Sequence, residues 1–192
     1  MVTFILVPGH NTSKSTTLVQ RSNWQEFLKQ EVLGSDVNVY YSHYDMFDHN
    51  EVENSINGLV NLIGKIDTKI ILLSYSFGGF ISRLALQRLP PNDLNKISTI
   101  VTMGTPFIAP NLRQRKFLED FSLMPRIEVP MIAFGGWLDP FAFPLFIKPK
   151  GKDVAIRYFL FCTHRDFFFS KRIRNRVVEV LKAFLRRRGI IE

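Results

Sequence analysis

The chain has 192 residues, 46% of them hydrophobic and 13% aromatic, which suffices for one sizeable core and excludes the disordered class, poor in large apolar side chains. A chain of this length is read as a single domain, residues 1–192. The formal charge of +8 favours anionic partners in general, while the one cysteine, Cys162, excludes an intrachain disulfide and gives no sign of an oxidising compartment.

The opening MVTFILV is too short an apolar run to span a membrane and lacks a basic leader, so a cytoplasmic location is expected. It reads instead as a strand, Val2 to Val7, ending in Pro8-Gly9-His10-Asn11. Ser22 with Gln25 makes a capping box before Trp24, Phe27, Leu28 and Val32, and Gly34 closes that helix. After a second strand, Val37 to Tyr41, Asn50 with Glu53 opens a helix carrying Val52, Ile56, Leu59, Val60 and Ile63, closed by Gly64. The third strand, Lys69 to Leu73, runs through Ser74-Tyr75-Ser76-Phe77-Gly78-Gly79 into a helix with Phe80, Ile81, Leu84 and Ala85 on one side, stopped by Pro90 and Pro91. Further strands are predicted at Ser98 to Thr102, Pro130 to Phe134 and Asp153 to Phe161, with a shorter helix at Asn111 to Phe121. In the last segment, KRIRNRVVEVLKAFLRRR, the residues Ile173, Val177, Val180, Leu181, Phe184 and Leu185 recur at helical spacing, and Lys and Arg fill most of the rest.

Strands so continuously apolar suit a parallel sheet covered on both faces. The fold class is therefore α/β, a three-layer α/β/α sandwich with a mainly parallel sheet of about six strands. In such sheets ligands bind at the carboxyl ends of the strands, where the loops converge. The basic last helix is read as docked with a solvated cationic face, and peripheral contact with an anionic membrane is the partner it suggests; no specific nucleic-acid partner is expected.

Ser74 and Gly78 are small residues two before and two after Ser76, as a sharp strand-to-helix turn requires, because larger side chains there would meet neighbouring backbone. Such a turn lifts a serine hydroxyl above the sheet and aims a helix N-terminus at charge developing beside it. The stretch resembles the nucleophile elbow of the α/β-hydrolase superfamily, usually G-x-S-x-G, with Ser74 in place of the first glycine. The chain is similar to a minimal member of that superfamily, lipase- or esterase-like and without a large lid.

The resemblance implies more. Val7-Pro8-Gly9-His10 is similar to the loop that supplies one oxyanion-hole donor, so the backbone N–H groups of His10 and Phe77 are the expected pair. Met103-Gly104-Thr105-Pro106-Phe107 resembles the L-G-T-P-H segment of lipase-like members, with Phe107 in place of the histidine. Phe134-Gly135-Gly136-Trp137-Leu138-Asp139 is similar to the family's acid loop, and Thr163-His164 stands where the catalytic histidine falls. The catalytic triad implied is Ser76, Asp139 and His164, in the superfamily's chain order.

The chemistry suits these residue types. A serine hydroxyl attacks only as a base removes its proton, an imidazole with an ordinary pKa of about 6.5 serves as that base, and a carboxylate orients it. Asp45, Asp153 and Asp166 are rival acids, and His43 and His49 rival bases; Cys162 reads as a core residue. Phe107, Trp137, Phe141 and Phe143 are candidates for the substrate pocket, the apolar stretch 141–147 serving either as acyl wall or as packing. No metal-ligand spacing or phosphate loop is present in the sequence, and no cofactor is expected. The expected reaction is hydrolysis of a carboxylic ester; a thioesterase, amidase or acyltransferase on the same residues, or a noncatalytic binding protein on this scaffold, stays open.

Overall fold

The computed structural model describes residues 2–10, 24–32, 35–39, 44–45, 47–107, 128–142 and 153–191. Ser22, Gly34, His43, Phe143 and the helix expected at Asn111 to Phe121 lie outside the described residues.

Six strands form one sheet: β1 (Val2–Val7), β2 (Ser35–Val39), β3 (Lys69–Tyr75), β4 (Ile97–Met103), β5 (Met131–Gly136) and β6 (Val154–Phe159). Their order is β2-β1-β3-β4-β5-β6, and every neighbouring pair is parallel. Period-two alternation splits each central strand between two cores. Phe4, Leu6, Ile71, Leu73, Ile132 and Phe134 face one side, where they meet Trp24 and Leu28 of helix α1 (24–31). Ile5, Val7, Ile70, Leu72, Ile100 and Met131 face the other, against helices α2 (His49–Gly64) and α3 (Gly78–Arg88). The short helices α4 (Pro91–Leu94) and α5 (Asp166–Phe169) were not anticipated, whereas the long C-terminal helix α6 (Lys171–Arg187) was. Helix α6 closes the first core with Ile173, Val177, Val178, Leu181 and Leu185. The result is the α/β/α sandwich with helices on both faces.

Several boundaries differ from the expectation, each for a local reason. Helix α2 is capped by Asp48, whose carboxylate accepts from the N–H groups of Asn50 and Glu51, and so begins before Asn50. Asp48 and Glu51 repeat the spacing of Asn50 and Glu53 two residues earlier, and Glu51 reaches back to the N–H of Asp45 at 2.6 Å. Gly64 is the last residue of the helix rather than its stop; Lys65 caps it. Strand β5 runs on through Gly135 and Gly136, which pair with Tyr158 and Phe159, while β6 ends before Leu160 because Phe161 turns to φ 55°. Pro91, having ended one helix, opens α4 at its first turn, where a missing N–H costs nothing.

Strand β1 lies between β2 and β3, so the chain reverses its direction across the sheet there. The crevice at the carboxyl ends of β1 and β3 is thus the topological switch point, the favoured ligand position in such a sheet. Among the described residues no helix is long and apolar enough to cross a membrane.

Candidate active site

Ser76 directly follows β3 with φ 51°, a left-handed backbone that a non-glycine residue rarely adopts. Two hydrogen bonds hold it there. Its N–H donates to the Met103 carbonyl at 2.9 Å, and its own carbonyl accepts from the Thr105 hydroxyl at 2.7 Å. A Cβ on Gly78 would stand 2.5 Å from the Val7 and Pro8 carbonyl oxygens, and one on Gly9 would stand 2.9 Å from the Ser76 Cβ. The β1 loop and the serine turn therefore touch, and glycine is what permits it. Ser74 is buried with its hydroxyl 2.7 Å from that of Ser82 on α3, so the serine that replaces the usual glycine is hydrogen-bonded rather than wedged against backbone.

His10 ends the described β1 loop, and Phe77 caps α3 with its ring between those of Tyr44 and Phe80. Tyr44, which sequence reasoning missed, is buried and donates its hydroxyl to the Pro8 carbonyl at 3.1 Å. The His10 imidazole faces Asp45 at 3.8 Å, which occupies that rival acid away from His164.

Asp139 and His164 come together. His164 Nδ1 lies 2.7 Å from Asp139 Oδ2, and Oδ1 accepts from the N–H groups of Phe141 at 2.9 Å and Ala142 at 3.0 Å. Asp139 is 0% exposed, so all its bonding capacity is directed inside the protein. A carboxylate only accepts; Nδ1 is then the donor, and Nε2 carries the lone pair. Tyr75, also missed, lays its ring against the imidazole at 4.7 Å and donates its hydroxyl to the His164 carbonyl at 3.0 Å. Burial pushes the Tyr75 phenol well above its ordinary range, so it stays a neutral donor. Because Tyr75 precedes Ser76, the same segment that carries the serine also seats the histidine.

Gly104 supports the pair. With φ 60°, its absent Cβ would stand 3.0 Å from both Asp139 Oδ2 and His164 Nδ1. Gly104→Ala is expected to displace the pair, lowering turnover by about a hundredfold, the usual cost of misplacing a catalytic group by an ångström. The left-handed backbone adds a stability loss of roughly 1–2 kcal/mol, and steady-state kinetics with a thermal melt would check both.

The remaining rivals are placed elsewhere. Asp166 accepts from the N–H and hydroxyl of Thr163, Asp153 pairs with Arg188, and His49 begins α2. Cys162 is buried, and burial, with Asp166 and Asp139 nearby, pushes its thiol up to about 12. Its alkylation by iodoacetamide near pH 8 is expected to be on the order of a thousandfold slower in the native protein than in the unfolded chain. A thiol raised this way also stabilises the fold only below its unfolded pKa of about 8.5, so stability falls as pH rises from there towards 12.

Of the pocket candidates, Phe141 lies 5.2 Å from the His164 ring, and Phe107 packs against Phe80 and beneath the Arg83 guanidinium. Trp137 instead meets Tyr158 near the sheet edge. Among the described residues no group of three or more His, Cys, Asp and Glu side chains could hold a metal ion.

Residues 32–126, which contain the serine turn and the Gly104-Thr105-Pro106 segment, match the PGAP1-like alpha/beta domain family. A comparison with curated protein sequences gives no match. Among solved structures the chain resembles the monoacylglycerol lipase of Paleococcus ferrophilus, at 14% identity and TM-score 0.66, over 94% of this chain and 92% of that one. It also resembles Aspergillus fumigatus lipase B, at 14% identity and TM-score 0.73, over 94% of this chain and 52% of that one. A third is the RedJ thioesterase of Streptomyces coelicolor, at 14% identity and TM-score 0.64, over 94% of this chain and 88% of that one. At these identities the structural likeness concerns the fold: the parallel sheet flanked by helices is the α/β-hydrolase fold of these neighbours.

Proposed function

We propose that the chain is a serine hydrolase that cleaves a carboxylic ester with an apolar acyl or alcohol part through an acyl-enzyme on Ser76. The observation that carries this reading is the 2.7 Å bond between His164 and the buried Asp139, set at the same strand ends as a serine held at φ 51°. In the first half-reaction Ser76 Oγ attacks the ester carbonyl while His164 Nε2 takes its proton. The N–H groups of His10 and Phe77 receive the oxyanion, and the imidazolium returns the proton to the departing alcohol. Water then repeats the sequence on the acyl-enzyme, releasing the acid and restoring Ser76. Asp139 fixes the tautomer and stabilises the imidazolium; Phe107 and Phe141 wall the apolar part of the substrate.

Fluorophosphonate labelling of the purified protein tests this, with peptide mass spectrometry to locate the adduct. The expected result is one adduct, on Ser76; a folded protein without it would overturn the proposal. A thioesterase built from the same parts is the second reading, favoured by the likeness to the RedJ thioesterase, and paired ester and thioester substrates of one acyl chain decide between them.

A further inference from the structure

Among the described residues eight large apolar side chains are more than one-third exposed; Tyr158 lies in strand β6 just before its end, and all the others but Phe47 follow the carboxyl ends of β5 and β6. Two backbone bonds lace those ends together, from the Trp137 N–H to the Phe159 carbonyl and from the Leu138 N–H to the Cys162 carbonyl, each 3.1 Å. The Trp137 and Tyr158 rings meet edge to face at 6.4 Å on this surface. At its turn stand Leu160, 68% exposed, and Phe161, 80% exposed. Phe161 has φ 55°, a costly conformation for a bulky L side chain, and with four-fifths of the residue exposed no packing among the described residues accounts for it.

Cations accompany the apolar residues along the chain. Residues 154–172 carry Arg157, Arg165, Lys171 and Arg172 against one carboxylate, Asp166, which is already bonded to Thr163. The Arg165 guanidinium lies over the half-exposed Phe169 ring at 5.3 Å. We propose that this tip docks the protein on an anionic lipid bilayer, with Leu160 and Phe161 entering the headgroup region and the flanking cations meeting lipid phosphates and carboxylates. Projecting apolar side chains at a turn, an indole and a phenol with polar edges, and neighbouring cations are what a membrane–water interface accepts. His164, four residues after Leu160, would then sit at the bilayer surface. That consequence, delivery of a lipid ester to the site, rests on the hydrolase reading; the docking itself does not.

The test is flotation with phosphatidylcholine vesicles containing roughly 30% phosphatidylserine, the anionic lipid of cytoplasmic leaflets. Wild type and Ser76→Ala are expected to bind alike, and added salt to weaken both. A Leu160→Asp/Phe161→Asp double variant should bind at least tenfold more weakly. Aspartate tolerates the left-handed backbone, so its fold should hold, as a thermal melt would verify. Should the melt show it damaged, Leu160→Ser/Phe161→Asn is read in its place with the same expected loss. Vesicle binding that survives these changes would overturn the proposal, as would binding lost only when Arg186, Arg187 and Arg188 are neutralised. So would a wild type that ignores vesicles but self-associates through Phe161 in sedimentation velocity, since a second copy would then cover the tip. Failure of Ser76 labelling with vesicle binding intact would sink the hydrolase reading alone.

Discussion

Ser76→Ala is expected to lower ester turnover by about ten-thousandfold to a millionfold and to abolish the fluorophosphonate adduct, because without the hydroxyl no acyl-enzyme forms and only binding and oxyanion stabilisation remain. The fold should survive. The turn is held by the bond from the Ser76 N–H to Met103, the bond from Thr105 to the Ser76 carbonyl, and the packing of Gly78 under Pro8, none of which uses the serine side chain. A second inactive variant separates chemistry from strain. At φ 51° a Cβ is costly and a glycine is not, so Ser76→Gly should be more stable than Ser76→Ala by about 1 kcal/mol while equally inactive. Turnover, labelling and chemical denaturation on the three proteins would test this. A Ser76→Ala protein retaining more than about a hundredth of the activity would remove Ser76 from the mechanism.

The sheet was legible because its strands are buried on both faces and so read as short, nearly unbroken apolar runs. The serine turn was legible because a strand-to-helix reversal demands small residues at Ser74 and Gly78, and the Asp139–His164 pairing because each residue follows a strand, in the chain order of the superfamily that the sequence resembles. What the sequence concealed is the set of contacts that hold these parts in place. Thr105 bonds a carbonyl 29 residues away, Tyr44 one 36 residues away and Tyr75 one 89 residues away, and no local pattern marks such partners. Gly104 read only as part of a lipase-like segment, yet a Cβ there would stand 3.0 Å from both partners of the Asp139–His164 bond. The end of β6 misled for a different reason. Tyr158-Phe159-Leu160-Phe161 reads as strand by composition, but the turn at Phe161 is set by a backbone conformation that its residue type disfavours.

Asp139→Asn is expected to cost about ten-thousandfold in turnover with little loss of stability, a result that follows from the three bonds at that carboxylate. Oδ1 faces two donors, the N–H groups of Phe141 and Ala142, and Oδ2 faces His164 Nδ1. An asparagine has one oxygen and one NH₂ group. With the NH₂ towards the two amides, three donor groups would meet without an acceptor in a site that is 0% exposed, so the oxygen must stay there and the NH₂ must face His164. Nδ1 is then made the acceptor, the ring proton moves to Nε2, and the nitrogen that would take the Ser76 proton has no free lone pair. The geometry of the turn is kept while the tautomer is reversed. Asp139→Ala removes the acceptor altogether and leaves the Phe141 and Ala142 amides unpaired, about 1–3 kcal/mol for each if both stay buried. The two variants should therefore lose comparable turnover but differ in melting temperature, with Asp139→Asn near wild type and Asp139→Ala clearly lower. Equal melting temperatures would show that the turn does not depend on this carboxylate, and an Asp139→Asn protein of normal turnover would show that His164 is oriented by something else.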